Sequence, residues 1–309
     1  MFSWLTCNRF LLLVLILVAA LVVYPRGWPF SLHLLRFYPK RLGSVIAGWA
    51  ASRELPRALR PTVLGGFARA YAIDLGEAEH PLEDYPSLQA FFTRRLKPGL
   101  RPQAEAVPGG INSPVDARVF SEGRITSNTM IQAKGLPYRA SELLKHIPDP
   151  ERFEGGHYLT LYLSPQDYHR IHVPVEGAVS AVARVEGELW PVNDASTTHV
   201  TRLYERNRRA VWVAKGVGAD EGLEVAAVLV GATHVGGVLI EERWLEGKPL
   251  PRDGGFGVSG LPCRPGDDLG TFQFGSTVVL LIGGPKAQAW EPQVREGKVR
   301  VGQRLGAFR

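Results

Sequence analysis

The sequence has only two cysteines, Cys7 and Cys263, among its 309 residues. This scarcity excludes a disulfide framework and a cysteine-based zinc site, which needs more ligands. A strong excess of one charge sign is also missing, because 36 Lys and Arg face 30 Asp and Glu. Internal repeats and low-complexity segments are absent as well. With 45% hydrophobic residues the composition is that of a globular chain, which excludes a disordered one.

One long apolar run extends from Phe10 to Tyr24, with Arg9 before it and Arg26 soon after it. As a helix it would be about 23 Å long, short of the roughly 30 Å hydrocarbon core of a bilayer. Three interpretations are open: a cleaved signal peptide, a buried core helix, and a membrane anchor that spans or dips into one leaflet. A poor small-residue cleavage site argues against the first. The flanking arginines argue against the second, so a membrane anchor is favoured.

The next stretch, residues 26–60, is basic and aromatic, with seven basic residues against one acid, Glu54. The basic residues are Arg26, Arg36, Lys40, Arg41, Arg53, Arg57 and Arg60. Beside an apolar segment this mixture favours an anionic membrane surface over nucleic acid, with a solvated helical face as the plain alternative. If the apolar segment spans, the following positive charge places the body in the cytoplasm. We therefore expect the protein at the cell membrane, with the body of the chain on its cytoplasmic side.

The residue pattern then changes along the chain from helix-like to strand-like. Residues 42–100 have helix-like patterns, from Leu42 to Ala58 and from a capping Ser87 to Leu96. From about Val107, short apolar runs alternate with Gly and Pro turns, which is typical of antiparallel strands. The predicted strands are Tyr158–Leu163, Ala178–Val185, Val211–Ala214, Leu223–Gly231, Gly236–Ile240, Thr271–Phe274 and Thr277–Ile282, with a helix at Ala140–Leu144 and a loop-rich segment from Glu242 to Asp268.

The expected fold class is α+β, with N-terminal membrane-associated helices followed by a β-rich, mainly antiparallel core. In this division residues 1–60 form the anchor and the membrane-associating helices, and residues 61–309 form the catalytic domain.

Three short segments hold candidate catalytic residues. Asp116 follows an apolar residue in Ser-Pro-Val-Asp, where a turn or cap is the plain interpretation. His169 and His172 lie three apart and would share a face on a helix. They could be surface residues, half of a metal site that lacks a third ligand, or acid–base groups. Gly275-Ser276 stands between two strand-like runs, where a simple bulge is the plain interpretation.

Taken together, Asp116, His172 and Ser276 could form a set in which His takes a hydroxyl proton and Asp orients the imidazole. A nucleophile elbow, Gly-x-Ser-x-Gly before a helix, is not present around this serine. A serine inside a strand pair has one carbonyl permanently beside its hydroxyl, that of Gly275. Attack on its own chain is therefore a physical option, because glycine leaves that carbonyl unshielded.

These segments resemble the signatures of the phosphatidylserine decarboxylases. They are Ser-Pro-Val-Asp at 113–116, Leu-Ser-Pro-x-Asp-Tyr-His-Arg-x-His at 163–172 and Phe-Gly-Ser-Thr at 274–277. Further stretches match around 91–102, 134–135, 228–233 and 299–303, so the resemblance covers roughly residues 85–305. The chain departs from the family pattern at Ala117, where a glycine is usual, and at residues 264–270 before the cleavage motif. Both departures put local loop geometry in doubt.

The resemblance implies a two-stage enzyme. In maturation, His172, oriented by Asp116, would deprotonate Ser276, whose alkoxide attacks the Gly275 carbonyl. An ester forms, β-elimination follows, and hydrolysis leaves a pyruvoyl group, the covalent cofactor, on a short chain 276–309 separated from a long chain 1–275. In turnover, that group would form a Schiff base with phosphatidylserine and release carbon dioxide and phosphatidylethanolamine, with His169 as the candidate for proton transfers.

The implied partners are phosphatidylserine in an anionic membrane and the two cleavage chains themselves, with no nucleic acid; the oligomeric state is left open, a homodimer included. Three rival functions are weighed against this one. They are a pyruvoyl enzyme acting on a soluble amino acid, a membrane-anchored serine peptidase, and a non-catalytic lipid-binding scaffold.

Overall fold

The computed structural model describes residues 39–132, 135–233, 237–273 and 276–309, and for Ser276 the backbone only. The described helices are short: α1 Lys40–Ser52, α2 Arg60–Tyr71, α3 Leu88–Phe92, α4 Ala140–Leu143, α5 Asp194–His199 and α6 Leu203–Arg206. Within these ranges no helix is long and apolar enough to cross a membrane. The apolar run 10–24 lies outside the described residues.

The strands within the described ranges form one large sheet and three small ones. They are β1 Ile111–Asn112, β2 Ala117–Arg124, β3 Thr129–Ile131, β4 Pro137–Arg139, β5 His157–Leu163, β6 Arg170–His172, β7 Gly177–Val185, β8 Arg209–Gly216, β9 Glu224–Val230, β10 Val238–Ile240, β11 Gly254–Cys263, β12 Asp268–Phe272, β13 Ser276–Gly283, β14 Trp290–Pro292, β15 Gly297–Val299 and β16 Arg304–Phe308. The large sheet has the order β11-β7-β8-β9-β13-β5-β2-β15, and the small ones are β10-β12-β6, β1-β16-β14 and β3-β4. The strand ladders in the described ranges are antiparallel, as the sequence predicts.

Strand β13 shows why the large sheet is central. Its side chains alternate between two hydrophobic cores, with Val279 and Leu281 in one and Val278 and Leu280 in the other. A strand that is buried on both faces needs such a continuous apolar run. Helices α1 to α4 and α6 cover the first face, and the sheets β10-β12-β6 and β1-β16-β14 cover the second. The large sheet is therefore a middle layer.

The N-terminal helix α1 packs on this body. Its residues Ala47 and Ala51 are buried, and Ala51 belongs to the same core as Phe67 of α2 and Phe91 of α3. The described part of the segment that the sequence assigns to the membrane thus has one face on the core. The division at residue 60 stays a prediction.

Several predicted elements need correction. The first helix ends at Ser52 rather than Ala58, because the following Pro56 disfavours helical backbone at the residue before it. Ser87 does cap α3, accepting the Ala90 N–H at 3.1 Å, but that helix stops at Phe92 instead of Leu96.

The segment 242–268, predicted to be loop-rich, contains β11. This edge strand has many glycines and a bulge between Gly257 and Leu261, so it lacks the alternating pattern that identifies a strand. His172 lies on the short strand β6 and His169 directly precedes it, so the two histidines do not share a helical face.

Candidate active site

The junction between β12 and β13 is held against the histidine segment at both of its ends. On one side the Phe272 N–H donates to the His169 carbonyl at 3.1 Å. On the other side Ser276 pairs with Leu163, at the start of the same segment. Gly275 lies outside the described residues. The segment 163–169 therefore bonds at both of its ends to described residues on either side of residues 274–275, which brings two of the three sequence motifs together.

A second pair of strands encloses the junction from the other side. Thr277 pairs with Val230 on β9, and Phe272 pairs with Val238 on β10. The Gln273 N–H also donates to the Gly237 carbonyl at 3.1 Å. Thr277 is fully buried, and its hydroxyl has no hydrogen-bond partner. A buried polar atom that is left unpaired is costly, so such an atom marks a place where a further group can bind.

His169 lies fully buried beside this junction. Its Nδ1–H donates to the Asp167 carbonyl at 2.8 Å, which fixes the tautomer because a carbonyl can only accept. The other ring nitrogen, Nε2, therefore carries a lone pair, and it has no partner. The Phe92 ring packs against the imidazole with the ring centroids 3.9 Å apart. Burial lowers the pKa of His169 to about 3, so the ring is neutral and its Nε2 can accept a proton or a hydrogen bond.

His172 has a different environment. Its Nδ1–H donates to the Gly266 carbonyl at 2.9 Å, and its Nε2 lies 3.3 Å from the Tyr168 hydroxyl. Burial raises the pKa of Tyr168 to about 12, so that hydroxyl keeps its proton and can donate it to Nε2. Burial also lowers the pKa of His172, while the carboxylate of Asp268, 3.7 Å from Nδ1, opposes this shift. His172 is thus a neutral base whose orientation is already set.

The Asp116 carboxylate makes no hydrogen bond to His172, the residue that the sequence predicts it to orient. This carboxylate instead accepts from the guanidinium of Arg101 at 2.6 to 3.0 Å and from the Val301 N–H at 2.9 Å. Arg101 in turn pairs with Glu77 at 2.7 Å. The guanidinium fork matches two carboxylates in geometry and charge, which is the physical reason for this pairing.

The Asp116 segment is nevertheless close to the histidine strand. The His172 backbone N–H donates to the Pro114 carbonyl at 2.9 Å, so Pro114 and Asp116 enter the site through the backbone. The catalytic roles predicted for Asp116, His169, His172 and Ser276 stay predictions.

Sequence reasoning missed the polar partners of the histidines, Tyr168 and Asp268, and gave no role to Arg94 or Arg101. Both arginines lie in the stretch 91–102 that resembles the family, so the sequence did contain a signal that could have identified them. Asp167 was missed as well. Its carboxylate accepts the Ser164 N–H at 2.7 Å, and burial raises its pKa to about 6. Across the described ranges, no group of three or more His, Cys, Asp or Glu could hold a metal ion.

Comparisons with known proteins agree on one family. The sequence model of the family described as phosphatidylserine decarboxylase matches residues 88–307. The phosphatidylserine decarboxylase proenzyme of Myxococcus xanthus is 39% identical over 283 residues, covering 90% of this chain and 98% of that protein. The proenzyme of an Anaeromyxobacter species is 41% identical over 282 residues, covering 88% and 96%. That of Coxiella burnetii is 37% identical over 279 residues, covering 88% and 95%.

Proposed function

The chain belongs to the phosphatidylserine decarboxylase family, and we propose that it is made as a proenzyme that cleaves itself between Gly275 and Ser276. Its activity is the decarboxylation of phosphatidylserine to phosphatidylethanolamine and carbon dioxide. The observation that carries the proposal is the pairing of Phe272 and Ser276 with the two ends of the segment 163–169. This pairing supports the proposal, because attack of a hydroxyl on its own chain requires the residues around the cleavage point to be held in place.

In maturation, His172 is the proposed base for the Ser276 hydroxyl. Its Nδ1–H is held by the Gly266 carbonyl, which leaves Nε2 as the accepting atom. The bond from the Tyr168 hydroxyl to Nε2 is long, at 3.3 Å, and can be exchanged for one from serine. The alkoxide adds to the Gly275 carbonyl, and the amide nitrogen leaves as an ester forms. β-Elimination then gives a Gly275 carboxylate and dehydroalanine, and water converts the dehydroalanine to a pyruvoyl end with loss of ammonia.

The residues around the start of β13 fit such a group. The Thr277 hydroxyl and the Nε2 atom of His169 are both buried and unpartnered next to the junction, so one can donate to a small polar group and the other can accept from it. Bound there, a pyruvoyl group supplies an electrophilic carbonyl that takes up the electrons released with carbon dioxide. His169 moves the proton at Nε2, and the Asp167 carbonyl keeps its tautomer. Phe92 excludes water from the same ring.

The maturation stage is tested with Ser276→Ala. We expect one uncleaved chain and no decarboxylase activity, because one hydroxyl serves as the nucleophile and as the cofactor precursor. Ser276→Cys is the matched variant, and it should still split slowly because a thiol also attacks acyl carbons. Normal two-chain maturation of the alanine variant would contradict the proposal.

We further propose that the protein works at the cytoplasmic face of the cell membrane, with α1 as a docking surface. Four side chains at helical spacing form an apolar stripe on its outer face. They are Leu42, Val45, Ile46 and Trp49, exposed by 57%, 67%, 43% and 47%. The Arg53 guanidinium lies 4.3 Å from the Trp49 ring, so a positive charge borders the stripe. An apolar helix face with a cation beside it suits an anionic lipid interface.

Part of the basic stretch is used inside the fold instead. Arg60 donates to the carbonyls of Leu55 and Glu83, and Arg41 donates to that of Gly187. A neutral carbonyl leaves the guanidinium charge in place, so both arginines still contribute positive charge beside the apolar stripe.

The docking surface is tested by sedimentation of the full chain with phosphatidylserine-containing vesicles. The double variant Val45→Ser, Ile46→Ser should bind more weakly while its activity on short-chain, water-soluble phosphatidylserine is retained. Val217→Ser, which changes a side chain 46% exposed elsewhere, is the control. Equal sedimentation of the double variant and the control would refute the docking surface.

A further inference from the structure

Two arginines of the described body, Arg94 and Arg209, are buried, and the side chain of a third, Arg101, is 9% exposed. Arg209 and Arg101 are fully partnered. Arg209 is 2% exposed and donates to four backbone carbonyls, those of Glu142, Leu143, Glu205 and Asn207. Arg101 binds the carboxylates of Asp116 and Glu77. Arg94 is the exception. It is 4% exposed, and its Nε and Nη1 atoms have no hydrogen-bond partner.

An unpaired guanidinium in the interior is strongly unfavourable, because nothing replaces the water that it loses. The Phe91 ring, 5.2 Å from the Arg94 guanidinium, compensates only in part. Burial lowers the pKa of Arg94, but an arginine stays charged at neutral pH. The carboxylates of Glu77 and Asp116 are close enough to oppose this shift, but neither bonds to Arg94. Its Nε and Nη1 nitrogens are therefore free to bind a further anion.

Arg94 lies near His169, to which the proposed function assigns the proton transfers of turnover. Phe92, two residues before it, packs on the His169 ring at 3.9 Å. The positive charge of Arg94 is among the causes that lower the pKa of His169, so the two side chains are within electrostatic range. An anion bound at Arg94 would thus lie next to His169 and the β12–β13 junction.

Three anions take part in the proposed reaction: the carboxylate of the serine headgroup, its phosphodiester, and the new carboxylate of Gly275. An arginine on the reacting carboxylate would stabilise the ground state and lose its partner as neutral carbon dioxide forms, which slows the reaction. The Gly275 carboxylate forms once and stays tethered to the chain, so it requires no recognition. The phosphodiester keeps its charge throughout turnover and is present in every substrate molecule.

We propose that Arg94 binds the phosphodiester of the phosphatidylserine headgroup, which positions the serine amine and carboxylate beside His169. This assignment rests on the proposed function. A guanidinium offers two forks of N–H donors, Nε with Nη2 and Nη1 with Nη2, and each fork is well matched to two phosphate oxygens. Arg94 is then a substrate-binding residue whose charge is costly to the free enzyme and useful only in the complex.

The test compares the mature two-chain enzyme with Arg94→Gln and Arg94→Lys on short-chain, water-soluble phosphatidylserine. For Arg94→Gln we expect normal maturation, a KM raised about tenfold to a hundredfold, and a kcat changed less than about threefold, since a bond to a charged group that persists in the transition state is lost. Lysine should restore part of the KM, because it keeps the charge without the fork. Arg69→Gln, an exposed arginine on α2, is the control.

Inhibition constants show which anion Arg94 binds. The inhibition constant of glycerophosphoethanolamine, which contains the phosphodiester, should rise with the KM in Arg94→Gln, whereas that of ethanolamine should not change. An unchanged KM, or equal changes for both inhibitors, would overturn the assignment. So would a folded Arg94→Gln proenzyme that fails to split, since Arg94 would then serve the Gly275 carboxylate. Failure of the unaltered chain to split would refute the proposed function instead.

Discussion

Two neighbouring polar regions of this protein differ in how many of their buried polar atoms have hydrogen-bond partners. In the Asp116 cluster, formed by Glu77, Arg101 and Asp116, both carboxylates pair with the guanidinium and Asp116 also accepts a backbone N–H. In the His169 pocket, formed by Phe92, Arg94 and His169, a ring nitrogen and two guanidinium nitrogens have no partner. A cluster whose polar atoms are all hydrogen-bonded needs no further group, whereas a pocket with unpaired polar atoms has room to bind a ligand through them. We infer that the first region supports the site and the second performs its chemistry.

The largest expected effect separates the two histidines. His172→Ala should slow self-cleavage by several orders of magnitude, because the proposed base is lost. His169→Ala should still split but should turn over phosphatidylserine poorly, since its neutral Nε2 is needed only in the second stage. A denaturing gel followed over time measures cleavage, and release of carbon dioxide from the split protein measures turnover. Full activity of His169→Ala would remove this residue from the mechanism.

The next largest effect compares Arg101 of the Asp116 cluster with Arg94 of the His169 pocket. Arg101→Met should lower the free energy of unfolding by about 3–5 kcal/mol, because it leaves Asp116 as a buried charge without its partner. Arg94→Met should cost nothing or raise the stability slightly, since it removes a charge that has no partner. Urea unfolding of both variants in the uncleaved Ser276→Ala background measures the difference. Equal losses would contradict the difference between the Asp116 cluster and the His169 pocket.

The smallest effect is the pH dependence that His169 imposes on stability. Its pKa in the folded state is about 3, below the value near 6.5 in an unfolded chain, so the unfolded state binds this proton more readily. Stability is therefore unaffected by this group above about pH 6.5 and falls as the pH drops from there towards 3. Between pH 7 and pH 5 the loss is about 2 kcal/mol. In the Ser276→Ala background, the added substitution His169→Ala should reduce the loss of unfolding free energy between pH 7 and pH 5 by about 2 kcal/mol. An identical loss with and without His169 would contradict the buried neutral state.

The sequence predicted the antiparallel core well because strands such as β13 are buried on both faces and so consist of unbroken apolar residues. It missed β11, whose exposed edge position leaves no hydrophobic pattern in a glycine-rich segment. The same distinction holds in the site. The motifs supplied the candidate residues, whose catalytic roles stay predictions, and the pairing of Ser276 with Leu163 brings two of the motifs together.

What the motifs could not predict is which partner each charged group takes. Asp116 bonds to Arg101 because the two meet in space, although neither spacing nor composition distinguishes that pair from Asp116 with His172. Likewise, only the three-dimensional packing shows that Arg94 is buried without a partner.

Accurate mass measurement of the purified full-length protein tests the central claim most directly. The account predicts two chains separated between Gly275 and Ser276, with the fragment 276–309 one ammonia lighter than the same fragment carrying an intact serine, because the serine nitrogen is lost when the pyruvoyl end forms. A single intact chain, or a fragment 276–309 that retains its serine, would contradict it.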